Sequence, residues 1–203
     1  PQTIMLTYTV TLLAGEQAWQ APVNEADTLP EEFVDSDTTA ILEAVKPLIV
    51  SGNDYETAKN ISAFTSSKIK AQTGSVQNAD AMTASEALAA GRGVCTDYAN
   101  VMCALLRAAG IPTRAVGGLV LNRLSKPADW SHPGGAHAWV EFYADGTWHF
   151  ADPTWGNRYF DSADGYHLSY GNAIGDIRSE RCAKREAEMI EQGYTPAGSM
   201  VNP

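Results

Sequence analysis

Cys95, His137 and Asp152 are of the types that, brought together, perform acyl transfer through a thioester. Cys95 stands in GRGVCTDYAN, after a Gly-Arg-Gly-Val turn and before the opening of a helix. A structural cysteine packs as a small apolar side chain and needs no such setting. A reactive one gains from a helix N-terminus, where unpaired N–H groups and the macrodipole favour thiolate over thiol. Such a thiolate needs an imidazole to hold or take its proton, and the imidazole needs an acceptor that fixes its tautomer. The segment HAWVEFYADGTWHFADPTWG offers both on one hairpin, because Asp145-Gly146 is a strong turn signal flanked by alternating apolar residues. With a two-residue loop, Ala144 opposes Thr147 and Asp152 falls opposite Trp139. His137 and Asp152 are then diagonal neighbours about 7–8 Å apart at the backbone, and a loop one residue longer or shorter would put them on opposite faces. The expected site face is His137, Trp139, Glu141, Tyr143, Trp148, Phe150 and Asp152, backed by Ala136, Ala138, Val140 and Phe142.

The elements around these residues follow from periodicity and punctuation. Ile4, Leu6, Tyr8, Val10 and Leu12 alternate with threonines as in a strand, and the acidic connector NEADTLPEEFVDSD follows. A short helix is expected from Thr38 to Val45, closed by Pro47. A longer one is capped by Asn53 or Asp54, carries Tyr55, Ala58, Ile61, Phe64 (or Ala63) and Ile69 on one face, and stops at Gly74. Thr83 and Glu86 form a capping box for a helix ended by Gly91. The helix opening near Cys95 has Tyr98, Val101, Met102, Leu105 and Ala109 on its apolar side, with Gly110 and Pro112 closing it. A strand over Thr113–Leu121, the polar loop NRLSKPADWSHPGG and two further strands come next, and a charged helix bearing Ile177, Ala183, Ala187 and Ile190 ends the chain. The chain divides into residues 1–50 (strand, connector, short helix), a catalytic core over 51–175 and a tail over 176–203.

The blocks GRGVCTDYANVMCALLRAAGIPTRAVGG, HAWVEFY and WHFADPTWG resemble the core of the transglutaminase-like superfamily, papain-fold cysteine enzymes that include transglutaminases, bacterial cysteine proteases and peptide N-glycanases. The likeness runs from about Tyr55 to Phe160. It implies an α+β papain-like fold with the cysteine helix packed on an antiparallel sheet. It also implies Cys95 as nucleophile, His137 as general acid/base and Asp152 as the orienting carboxylate. Such enzymes need a second oxyanion donor beside the backbone N–H of the nucleophile, worth about 2.7–4 kcal/mol in the transition state. EALAAGRGV supplies no glutamine for it, which leaves Gln72 and Tyr98 as candidates.

Trp130, His132, Trp139 and Trp155 flank the expected cleft as candidate substrate-contacting residues, and Gly134-Gly135 would admit a substrate backbone. No metal and no cofactor are expected. His132, His137, His149 and His167 lack the helical spacing of zinc ligands, and His149 falls on the opposite hairpin face from His137. The odd cysteine count (Cys95, Cys103, Cys182) argues against a disulfide framework. A net charge of −10 disfavours nucleic acid and anionic membranes as partners, and no apolar run is long enough to span a bilayer. The acidic composition and the absence of an initial Met lean towards a secreted or surface location. The reading is thus cysteine-dependent acyl transfer on protein or peptide carboxamides such as glutamine. The alternatives are a protease or deamidase using the same triad, and a non-catalytic binding domain of this fold.

Overall fold

A computed structural model describes residues 22–72, 82–120, 136–162 and 167–169. Among the described residues, four α-helices and a four-stranded antiparallel sheet enclose one core. Helix α1 is Thr39–Val45, α2 Asp54–Lys68, α3 Ala84–Ala90 and α4 Cys95–Ala108. The sheet has the order β5-β4-β3-β6, from β3 (Thr113–Val120), β4 (Ala136–Ala144), β5 (Thr147–Ala151) and β6 (His167–Ser169). A two-stranded parallel pair, β1 (Lys70–Ala71) with β2 (Arg92–Gly93), lies apart from it. No helix among the described residues is long and apolar enough to cross a membrane.

Helix α4 is the axis of the molecule. Every residue from Asp97 to Arg107 is buried, because α1, α2 and α3 cover it on one side and β3 and β4 on the other. Its Val101, Met102, Leu105 and Leu106 meet Val140, Phe142, Ala144 and Ala151 of the sheet, and Ile41, Ala58, Ile61 and Leu88 of the flanking helices. Burying each large side chain of this set contributes about 1.5–3 kcal/mol, so the segment that carries Cys95 is the least able to shift.

The acidic connector is more than a link. Arg107, buried at the end of α4, donates from Nη1 to Glu31 (2.9 Å) and to the Leu29 carbonyl, and from Nε and Nη2 to the Thr113 carbonyl. Arg114 of β3 holds Asp27 through two bonds (2.9 and 2.8 Å) and lies 4.0 Å from the Trp148 ring centroid. Buried guanidinium groups need such partners, and the connector's carboxylates and carbonyls provide them.

Most expected boundaries stand, with two differences. Helix α2 starts on an Asn53 cap, whose side chain accepts from Glu56 N–H, but it ends at Lys68 and not at Gly74, which lies outside the described residues. Ile69 turns extended, 1% exposed in the core, and the next two residues pair with β2. That pairing is the second difference. Arg92–Gly93, expected as part of a turn, forms a strand that fixes the residues leading into Cys95. The Thr83–Glu86 capping box and the left-handed Gly91 (φ 64°) appear as expected. The strand over Ile4–Leu12, the tail helix and Cys182 lie outside the described residues.

Gly93 is required for space. A Cβ there would sit 2.5 Å from Asp97 Cβ and 2.8 Å from its Oδ2, while that carboxylate accepts from Val94 N–H at 2.8 Å and so holds the first turn of α4. Gly93→Ala is expected to cost about 1–3 kcal/mol in thermal unfolding. It should also slow alkylation of Cys95 by iodoacetamide, because the relief of the clash displaces the turn that carries the thiol.

Candidate active site

Cys95 is the first residue of α4, at the positive end of a 14-residue helix. His137 is the second residue of β4, and Asp152 immediately follows β5. The hairpin has the expected register: Ala144 pairs with Thr147, Tyr143 with Trp148, Glu141 with Phe150 and Val140 with Ala151. Asp145 (φ 50°) and Gly146 (φ 84°) take the two positive-φ positions of a type I′ turn. Alternation then sends Val140, Phe142 and Ala151 into the core and leaves His137, Trp139, Glu141, Phe150 and Asp152 on the other face.

His137 Nε2 lies 2.8 Å from Asp152 Oδ2. Nδ1 is left for the other partner, the Cys95 side chain, which hydrogen-bonds the same imidazole. Burial pushes the Cys95 thiol up, but the hydrogen bond and charge of His137 outweigh it, with help from the Ala138 N–H and the Thr96 hydroxyl, so the net shift is downward. For His137, burial disfavours the cation. The hydrogen bonds and charges of Asp152 and Cys95 more than offset this and raise it to about 9. Asp152 is also buried, yet bonds from His137 and His167 and from the Thr154 N–H lower it to about 2. The three shifts have one cause, the mutual hydrogen bonds and charges of Cys95, His137 and Asp152, and all favour the charged forms.

Asp152 is positioned on all sides. It is 0% exposed, its N–H donates to the Tyr159 carbonyl (3.0 Å), and its Oδ1 accepts from Thr154 N–H at 2.9 Å. The following Pro153 carbonyl accepts from Ser66 Oγ of α2 at 2.7 Å, which ties the loop to the helical layer.

The other expected site residues divide. Trp155, 37% exposed, stacks on His137 with centroids 4.5 Å apart at 12°. It is the outer wall of the site. Trp139 is 3% exposed and packs edge-on to His167, so it is a floor beneath the imidazoles and not an open cleft wall. Tyr98 is a correction: its O–H donates to the Ile69 carbonyl (2.8 Å) inside the core, so it has no donor to offer an oxyanion. Gln72 is exposed, and its backbone N–H donates to the Gly93 carbonyl (2.8 Å), two residues before Cys95. Trp130, His132 and Gly134-Gly135 lie outside the described residues. His149, as expected, is on the far face, where it stacks on Phe142.

His167 is the residue that spacing did not place. Its Nε2 lies 3.3 Å from the same Asp152 Oδ2 that His137 engages. Strand β6 puts it there: Gly118 of β3 pairs with His137 on one side and Ser169 on the other, and Val120 pairs with His167. The two histidines thus share a sheet face, and between their strands Gly118 presents no side chain to hold them apart. A short alternation, YHLSY, was the only trace of this strand in the sequence.

A model of the transglutaminase-like superfamily matches residues 48–153, just over half of the chain. The chain belongs to the transglutaminase-like superfamily. Among curated proteins, a protein-glutamine gamma-glutamyltransferase of Pseudomonas aeruginosa is 41% identical over 66 residues, which cover 31% of this chain and 10% of that protein. An uncharacterized protein of Mycobacterium leprae is 36% identical over 63 residues, 31% of this chain and 22% of the other. The matched region is therefore a small part of both relatives. In fold, this transglutaminase-like chain is similar to a Cytophaga hutchinsonii protein provisionally named a cysteine protease, with a TM-score of 0.52, 21% identity, and coverage of 73% of this chain and 51% of the other. The mixed helix-and-sheet architecture is thus the superfamily's.

Glu141 lies on the site face, as the alternation predicts, and takes no part in the row of Cys95, His137 and Asp152. It is 3% exposed, and among the described residues its Oε2 has no hydrogen-bond partner. Burial raises its carboxyl to about 8, against the charge of Arg114 and a bond from Trp139. Between its unfolded value, about 4.3, and 8, the native state binds a proton that the unfolded chain lacks, so stability falls as pH rises through that window. Glu141→Gln is expected to leave the melting temperature unchanged at pH 4. At pH 8 it should add about 4–5 kcal/mol, or roughly 8–20 °C, by removing the buried ionisation.

Proposed function

We propose that this transglutaminase-like chain is a cysteine acyltransferase acting on carboxamides of proteins or peptides, with Cys95 as nucleophile, His137 as general acid/base and Asp152 as the group that orients His137. The observation that carries this reading is the unbroken row from the Cys95 sulfur through the His137 ring to Asp152, with the thiol lowered and the imidazole raised. The Cys95 sulfur attacks the carboxamide carbon, and His137 gives its proton to the departing nitrogen, which leaves as ammonia from a glutamine side chain. The acyl group is then held as a thioester. A primary amine attacks it, His137 takes the amine's proton, the C–S bond breaks and an isopeptide forms. With water as acceptor the same steps end in a carboxylic acid.

The negative charge that develops on the carbonyl oxygen needs donors. The N–H groups of Cys95 and Thr96 are the backbone candidates, since those of Asp97 and Tyr98 already donate to the Val94 carbonyl, and Gln72 is the remaining side-chain candidate. The relative that is a gamma-glutamyltransferase supports an amine acceptor.

The test is to incubate the protein with a glutamine-bearing protein and a labelled primary amine, measuring ammonia and incorporated label together. Both are expected to rise in step. Ammonia without label would make the enzyme a deamidase. Neither product, with Cys95 no more reactive than Cys103 towards iodoacetamide at pH 6, would leave the fold as a binding domain.

A further inference from the structure

His137, Asp152 and His167 each offer one ligand atom, and those atoms lie within 4.8 Å of one another. Two imidazole nitrogens and one carboxylate oxygen form a donor set for a divalent first-row ion. We propose that these three residues bind such an ion, of the zinc class, and that by occupying His137 Nε2 it holds the cysteine site inactive. The second half rests on the proposed role of Cys95 and His137; the first does not.

Two of the three ligand separations are close to what the ion requires. Bonds of about 2.0–2.1 Å in a tetrahedral arrangement put ligand atoms about 3.3 Å apart. His167 Nε2 and Asp152 Oδ2 are already separated by 3.3 Å, and the His137–Asp152 contact must open from 2.8 Å. The side chains of His137, Asp152 and His167 are 8%, 0% and 3% exposed, so little bulk water competes for the ion. Around His167 stand the rings of Trp139, Phe150, Trp155 and Tyr159, an apolar shell that strengthens binding between the charges. Trp155, the exposed member, covers the approach. The ligands come from three separate strand ends and not from one helix, which is why histidine spacing did not reveal them.

Binding has a defined proton balance. The ion takes the Nε2 lone pairs, so the Nε2 proton of His137 goes to solvent and His167 carries its remaining proton on Nδ1. Asp152 then offsets part of the metal's charge and no longer orients His137. The imidazole keeps its N–H at Nδ1, towards Cys95, but with Nε2 bound to the ion it is no longer a cation that can give this proton up and take it back. His137 is then no general acid for the departing nitrogen, and turnover stops without any bond to sulfur.

The experiment uses the full chain carrying Cys95→Ser, which removes the sulfur as a competing ligand. Equilibrium dialysis with Zn2+ alone should show one equivalent bound, and Co2+ should give the visible absorption of a four-coordinate ion. Adding His167→Gln keeps an N–H donor towards Asp152 but no ligating nitrogen, and should weaken binding at least tenfold; His167→Asn, checked by thermal melting, is the second variant should the glutamine protein not fold. With Cys95 present, Zn2+ should suppress acyl transfer, EDTA should restore it, and His167→Gln should abolish the inhibition. Loss of the ion in Cys95→Ser alone, or undiminished binding in both His167 variants, would overturn the proposal. Binding that follows His167 in a protein with no acyl transfer would instead retain the metal site and discard the proposed activity.

Discussion

Cys95→Ser is expected to lower acyl transfer by about 10⁴-fold or more while leaving the melting temperature within a degree or two. A hydroxyl in place of the thiol keeps the volume and the helix start, but its proton is held far too tightly for the ion pair that His137 supports. The same pair fixes the pH dependence of the unmodified protein. The acidic limb of activity reports the lowered Cys95 thiol and the alkaline limb reports the loss of the His137 proton near 9, so the profile is a broad plateau between them. Alkylation of Cys95 should follow the acidic limb alone, since iodoacetamide needs only the thiolate. His137→Gln should move that limb up towards an ordinary thiol, because what remains is burial, which raises it, against the Ala138 and Thr96 contacts. If Cys95 in the His137→Gln protein still reacted at pH 6 as fast as in the parent, the imidazole would not be the group that activates it.

How much of this was legible beforehand depended on how local each cause is. The hairpin was, because Asp145-Gly146 sets its loop at two residues and the side-chain period of a strand then fixes which groups share a face. The start of α4 was, since the apolar stripe from Tyr98 to Leu105 and the stop at Gly110 bound it from inside the sequence. Three things were hidden. The end of α2 depended on a distant partner: Ile69 leaves the helix because Lys70–Ala71 pair with Arg92–Gly93, some twenty residues away. The connector looked like a solvated acidic run, yet Asp27 and Glu31 are held by arginines of β3 and α4 whose own burial is a property of the folded sheet. His167 became visible only when β6 was laid beside β3, since a strand of three residues leaves almost no periodicity to read. Tyr98 shows the converse error. A residue type suited to an oxyanion lies three positions after Cys95, but the helix turns its hydroxyl away to a carbonyl at the end of α2.

Asp152→Asn is expected to reduce acyl transfer about 10³–10⁴-fold, nearly as far as loss of the thiol, although Asp152 never touches the substrate. Its Oδ1 is committed to the Thr154 N–H, so in an asparagine the amide oxygen is drawn to that position and the NH₂ replaces Oδ2. Two ring nitrogens then face a donor where they had an acceptor, and His137 must turn its Nε2 lone pair inward, leaving its proton on Nδ1. In that tautomer it cannot take a proton from Cys95. Stability gives an independent check with a definite sign. Asp152 is held at about 2 in the fold, below its unfolded value near 3.9, so it contributes stability above pH 4 that is lost as pH falls through 2. The shift corresponds to about 2–3 kcal/mol at neutral pH, the same interaction seen from the His137 side and not an addition to it. The asparagine protein should therefore melt lower at pH 7, and the gap to the parent should close as both are acidified towards pH 2. A gap that stayed constant with pH would mean that the substitution acts through packing around the loop. A closing gap accompanied by unchanged activity would separate the structural role of Asp152 from any part in orienting His137.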